Sequence, residues 1–215
     1  MSMSSKINLS CPKCATANSI IEWQSINADV NPEMRIKILD GSAFLFRCTK
    51  CAYTAELSYP CLYHDMTNSL LIFLMPDNHK DAETAIKEIQ ISADQMKLFN
   101  NNYKQRIVTS PKRLVEKIRL LESGIDDKLA EICKLLFRVM SGHGNEEVSL
   151  YYDTSNEKHK IVIVNSVYQK SAEISETFLI KAKEVRDSIL LSDNNDKLEL
   201  IDEKWAINLM EKRAK

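Results

Sequence analysis

Cys11-Pro12-Lys13-Cys14 and Cys48-Thr49-Lys50-Cys51 decide how this chain is read. Two Cys-x-x-Cys pairs about thirty residues apart supply the four thiolates of a tetrahedral zinc site. A redox dithiol of the thioredoxin type needs one such pair at a strand–helix junction; here there are two, each flanked by strand-like sequence. The cysteines therefore read as ligands of one structural Zn2+, with Cys11, Cys14, Cys48 and Cys51 as its metal residues. Four thiolates leave no open coordination position at which water could be activated. Such an ion holds hairpins together, and its binding contributes about 10–16 kcal/mol to the folding of small domains. Lys13 and Lys50, inside the knuckles, offset part of the double negative charge of a zinc tetrathiolate.

Around the knuckles the pattern is mostly that of strands. Ile20, Ile21, Trp23 and Ile26 mark a strand over 19–26. Asn31, Pro32 and Glu33 then start a helix whose apolar face is Met34, Ile38 and Leu39, and Gly41 ends it in a left-handed conformation. Phe44 and Phe46 alternate into Cys48, and Tyr53, Ala55, Leu57 and Tyr59 alternate away from Cys51, which puts the second knuckle at the tip of a hairpin. The run Leu70-Leu71-Ile72-Phe73-Leu74-Met75 reads as a central strand covered on both faces.

Beyond Pro76 the periodicity becomes helical. Helices are expected over 81–90, after a capping box at Ser92 and Gln95, from Ser110-Pro111 to Gly124, and from Asp126 onward through Leu129, Ile132, Cys133, Leu136 and Met140. Ser141-Gly142-His143-Gly144-Asn145 holds two of the four glycines and is taken as the boundary between regions. A hairpin over 147–152 and 160–165 follows. Residues 178–191 are open between helix and strand, with Leu179, Ala182, Val185 and Ile189 favouring helix; Leu198–Ile201 is a short strand and Asp202 caps a last helix. The expected fold class is α+β. Residues 6–140 form zinc-ribbon-like hairpins with a helical continuation, and residues 145–215 a smaller α+β region.

Composition bounds the function. The length of 215 residues allows one large domain or two small ones. A net charge of -1 exerts no global pull on nucleic acid or an anionic membrane. Leu70–Met75 is far too short to span a bilayer, and the start at Met1–Lys6 has no apolar run. A cytoplasmic location is expected, where reducing conditions favour metal over disulfide at paired cysteines.

Cys11-Pro12-x-Cys14, Asn31-Pro32-Glu33, Asp40-Gly41, Cys48-x-x-Cys51 and Tyr59-Pro60-x-Leu62-Tyr63-His64-Asp65, in that order, resemble the bacterial CpXC domain. Leu114-Val115-Glu116-Lys117-Ile118 with Asp126-Asp127-Lys128 resembles the end of the same family, so the likeness covers about residues 6–140. Thr49 departs from it, standing where the name-giving proline would be, and Ala15 and Ala52 follow the knuckles where zinc ribbons often carry glycine. Alanine at a positive φ there would carry modest strain. The resemblance implies a zinc-bearing fold and no established activity.

Of the remaining candidates, His64 and Asp65 are the most enzyme-like, since an aspartate can orient a histidine base. Adjacent strand residues point to opposite faces, so a turn serving backbone hydrogen bonds is the favoured reading of the pair. Cys61 and Cys133 read as packing residues, with a reactive Cys61 beside His64 as the alternative. His79, His143 and His159 lie in polar segments and read as solvated. Lys112, Arg113, Lys117 and Arg119, and Lys204, Lys212, Arg213 and Lys215, could meet nucleic acid with Trp23, Tyr53 or Tyr59 stacking on bases, but interleaved acidic residues make solvated helix faces the stronger reading. The leading function is a non-catalytic, zinc-stabilised protein-interaction or scaffold protein; a nucleic-acid-binding accessory factor and an enzyme using His64 and Asp65 are the alternatives.

Overall fold

A computed structural model describes residues 2–76, 103–142, 147–154, 158–189 and 198–213. The helix expected over 81–90, the capping box at Ser92, His79 and His143 lie outside the described residues. The chain is α+β and divides into two compact units, Met1–Val115 with Asp196–Glu199 and Glu116–Asn195 with Leu200–Lys215.

The first unit is organised by a mixed sheet. Strands β1 (Met3–Ser10) and β2 (Ala17–Asn27) form a long antiparallel hairpin. β2 pairs in parallel with β5 (Cys61–Asp65) only through Ser25–Asn27, so most of the hairpin extends past that pairing with Cys11–Thr16 at its tip. β5 pairs antiparallel with β6 (Leu70–Leu74), which pairs in parallel with β7 (Lys104–Val108). The sheet order is β1-β2-β5-β6-β7-β11, where β11 is Glu199–Leu200. β6 is interior in this order and nearly all buried, as its unbroken apolar run requires. A second hairpin, β3 (Leu45–Arg47) with β4 (Thr54–Glu56), carries the other knuckle at its tip. Helix α1 (Pro32–Leu39) starts on its proline and buries Met34 and Ile38; Gly41 after it has φ 82. Asn31 precedes α1 without a side-chain cap bond, its amide donating instead to Glu33 Oε1.

The division into units falls inside α2 (Pro111–Glu122), which begins at Ser110-Pro111 and stops at Gly124, φ 71. Asp126 caps α3 (Asp127–Met140) by accepting the Lys128 amide at 3.0 Å. In the second unit Leu129, Ile132 and Cys133 share one apolar core with Leu150 and Tyr152 of β8 (Ser149–Asp153) and Ile161 and Ile163 of β9 (Lys160–Val164). Met140, expected on the buried face, is exposed because it sits in the last turn of α3. β10 (Gln169–Glu173) completes the sheet β10-β9-β8. Residues 178–191 resolve as helix through residue 189, within α4 (Glu176–Ile189). The Asp202 carboxylate accepts the Trp205 amide at the start of α5 (Glu203–Arg213).

One expectation fails inside the second unit. Lys117 was assigned to a solvated helix face and is buried, 1% exposed. Its ammonium donates to Asp127 Oδ2 at 2.9 Å and lies 3.5 Å from Glu131 Oε1. Lys134 bridges Glu131 Oε1 at 2.7 Å and Glu116 Oε1 at 2.8 Å, and Glu116 also accepts the Tyr152 amide. The charged residues of the Glu116-Lys117 and Asp127-Lys128 motifs are thus interior. Opposite charges are paired across α2 and α3, each carboxylate against a lysine, and buried ions require such pairing.

Candidate metal centre

The two hairpin tips bring the four cysteines together. Their sulfurs all lie within 4.8 Å of one another, with Cys14 Sγ 3.6 Å from Cys48 Sγ and Cys11 Sγ 3.7 Å from Cys51 Sγ. All six cysteines are free thiols. A tetrahedral zinc site with bonds of about 2.3 Å has sulfur–sulfur edges of about 3.8 Å, so the donor set fits such an ion in both chemistry and size.

The knuckles are near copies. The Cys11 amide donates to Thr16 O at 2.9 Å and the Ala15 amide to Cys11 O at 2.8 Å; the Cys48 amide donates to Tyr53 O at 2.8 Å and the Ala52 amide to Cys48 O at 3.1 Å. Both alanines are left-handed, with φ 57 at Ala15 and φ 54 at Ala52. The strain expected from alanine at these two positions is therefore present, and it is the price of closing each turn without glycine. The Cys51 amide, and after it that of Lys50, draws the Cys48 thiol down to about 6. Cys14 is lowered by the Thr16 hydroxyl, 3.3 Å from its sulfur.

Beneath the sulfurs lies a small core of Cys11, Phe46 and Cys48, with Leu9, Ile20, Tyr53, Ala55 and Leu57 packed against it. Cys11 and Cys48 are each 2% exposed, whereas Cys14 and Cys51 are partly open to solvent. One polar residue that the motif reading passed over belongs to the centre. Asn18, near the start of β2 and buried, donates to Thr16 O at 2.7 Å and to Cys48 Sγ at 3.7 Å. Its Oδ1 accepts from the Thr49 amide at 2.8 Å and the Thr49 hydroxyl at 2.9 Å. An asparagine seven residues after a cysteine is no motif. Thr16-Ala17-Asn18-Ser19 has no apolar alternation against which a buried polar residue would stand out.

A family model described as CpXC protein matches residues 9–134, more than half of the 215 residues. The chain belongs to the CpXC family. The matched segment contains both knuckles, Asn18 and the buried ion network of α2 and α3. No curated protein and no solved structure matches the chain.

Beside this CpXC centre the other candidates are dispersed. His64 and Asp65 end β5. His64 lies beside its register partner Asn27, 3.5 Å from Nδ1, and beside the Tyr103 hydroxyl, 3.3 Å from Nε2. Asp65 is buried on the other face and accepts from the backbone and side-chain amides of Asn68, both at 2.8 Å, closing the turn to β6. Burial lowers His64 and pushes Cys61 and Cys133 up to about 12, the condition of inert packing thiols. His159, expected to be solvated, is half-buried against the Tyr152 hydroxyl at 2.9 Å. Tyr59 stacks on Phe44 with ring centroids 5.4 Å apart. Among the described residues no helix is long and apolar enough to cross a membrane.

Proposed function

We propose that Cys11, Cys14, Cys48 and Cys51 hold one structural zinc ion, and that the chain is a non-catalytic cytoplasmic protein-interaction or scaffold protein whose recognition surface that ion keeps rigid. The observation carrying this reading is the sulfur arrangement: four thiolates at near-tetrahedral separations offer a bound ion a full shell. What zinc supplies when bound is charge neutralisation and a fixed geometry. The rest is done by the chain, whose Lys50 and Cys51 amides face the Cys48 sulfur and whose Cys11, Ala15, Cys48 and Ala52 amides close the turns.

The apolar Ile21 and Leu45, each more than half exposed on the hairpins, support a protein as partner over a phosphate backbone. Tyr53 packed under the sulfurs and Tyr59 against Phe44 are poorly placed as base-stacking platforms. Elemental analysis of protein purified without chelator tests the proposal. One zinc per chain, absent from Cys48→Ser, supports it; a chain free of zinc, or tight binding of generic RNA or DNA at physiological salt, overturns it.

A further inference from the structure

The two knuckles, Cys-Pro-Lys-Cys-Ala and Cys-Thr-Lys-Cys-Ala, differ in sequence only at Pro12 and Thr49. Proline fixes its own φ and so removes freedom from the first knuckle before any metal arrives. Thr49 has no such restraint, yet the second knuckle closes with the same pair of backbone hydrogen bonds as the first.

The difference is made up by Asn18. The Thr49 amide, which a proline would lack, and the Thr49 hydroxyl both donate to Asn18 Oδ1, at 2.8 and 2.9 Å. The other end of the same side chain donates to Thr16 O, which also accepts the Cys11 amide, and to Cys48 Sγ. Every hydrogen-bonding position of the amide is used, and the residue is 4% exposed. One side chain thereby spans both knuckles. Its N–H is also aimed at a sulfur that carries negative charge when metal is bound, where a donor stabilises the thiolate and dulls its nucleophilicity.

We infer that Asn18 is a positioning residue of the metal centre: it holds the second knuckle in the shape that Pro12 imposes on the first, and it protects the Cys48 thiolate. This rests on the zinc reading of the four cysteines. Loss of Asn18 then loosens the second knuckle more than the first, which keeps the restraint of Pro12, and proline at position 49 becomes a substitute for it.

Zinc affinity by chelator competition and site-resolved alkylation of the zinc-loaded chain with iodoacetamide test this. Asn18→Ala is expected to weaken zinc binding about 10- to 100-fold, the usual effect of losing a partner of a metal ligand. Asn18→Asp keeps the acceptor for Thr49 and loses the donors to Cys48 Sγ and Thr16 O, so it is expected to speed alkylation of Cys48 more than that of Cys11, which is equally buried at 2% exposure and has no bond from Asn18 to its sulfur. Thr49→Pro should lower affinity in the wild-type background and raise it in Asn18→Ala. An unchanged affinity in Asn18→Ala, equal acceleration at Cys11 and Cys48, or the same sign for Thr49→Pro in both backgrounds overturns the inference. A wild-type chain that takes up no zinc overturns instead the reading beneath it.

Discussion

The cysteine-bearing hairpins and the helical unit both gather polar and ionisable groups inside the protein, and the charge there is countered in opposite ways. In the hairpins, on the proposed zinc reading, the interior charge is that of the four cysteine thiolates and the countercharge is a cation the chain does not encode. Between α2 and α3 it belongs to Glu116, Asp127 and Glu131, and Lys117 and Lys134, set by the same sequence, supply two of the three countercharges. The apolar support differs too. Among the described residues the buried cluster at the knuckles has three members, two of them the ligands Cys11 and Cys48, against twelve in the core of the second unit, so on the zinc reading the hairpins lean on the ion and the helices do not. On that reading the stability of the first region is expected to follow the solution's metal content, and that of the second the sequence alone.

The largest effect expected is removal of the metal. Cys48→Ser, or excess chelator, should take away most of a contribution of about 10–16 kcal/mol and unfold the hairpins, seen as loss of near-ultraviolet signal from Trp23 and Tyr53. The helical circular dichroism of the second unit should persist. A smaller loss is expected in the other region. Lys134→Met leaves Glu116 and Glu131 facing each other without their shared cation, and Glu131 Oε2 already has no hydrogen-bond partner among the described residues. Denaturant unfolding should show a loss of about 3–5 kcal/mol with zinc content unchanged. A chain ending at Met140 keeps the cysteines and uncovers Leu129, Ile132 and Cys133. It should bind zinc and aggregate, whereas a soluble monomer would show that residues 6–140 fold alone.

Much of this was legible in residue spacing. The knuckles, the Pro32 and Pro111 helix starts, the Asp126 and Asp202 caps and the central strand at Leu70–Leu74 follow from local chemistry. β10 was not legible, because Gln-Lys-Ser-Ala-Glu carries no apolar alternation and becomes a strand by pairing with β9; in β1 only Ile7 and Leu9 alternate, and Met-Ser-Ser-Lys before them becomes strand by pairing with β2. Lys117 and Lys134 look like any helix-surface lysines, since burial of a charge depends on partners up to eighteen residues away. Asn18 was invisible for the same reason.

Finer effects sharpen the contrast. Ala15→Gly and Ala52→Gly relieve left-handed alanines, and each should raise the metal-loaded thermal midpoint through a gain of up to about 1 kcal/mol. His64→Ala should cost only about 0.5–1.5 kcal/mol per hydrogen bond lost, far less than Cys48→Ser. Because burial lowers His64, the unfolded chain takes up its proton first as pH falls. This residue's share of stability is thus present above the ordinary histidine value of about 6.5 and declines below it, and His64→Gln should flatten that slope.

Amide hydrogen exchange with and without chelator addresses the central claim most directly. With zinc bound, the amides of Cys11, Ala15, Cys48 and Ala52, which close the two knuckles, should exchange slowly. After chelation they should exchange at rates near those of an unfolded chain, while the amides of α3 stay protected. Knuckle amides that remain slow once all metal has been removed would contradict the account, because the hairpins would then be holding themselves.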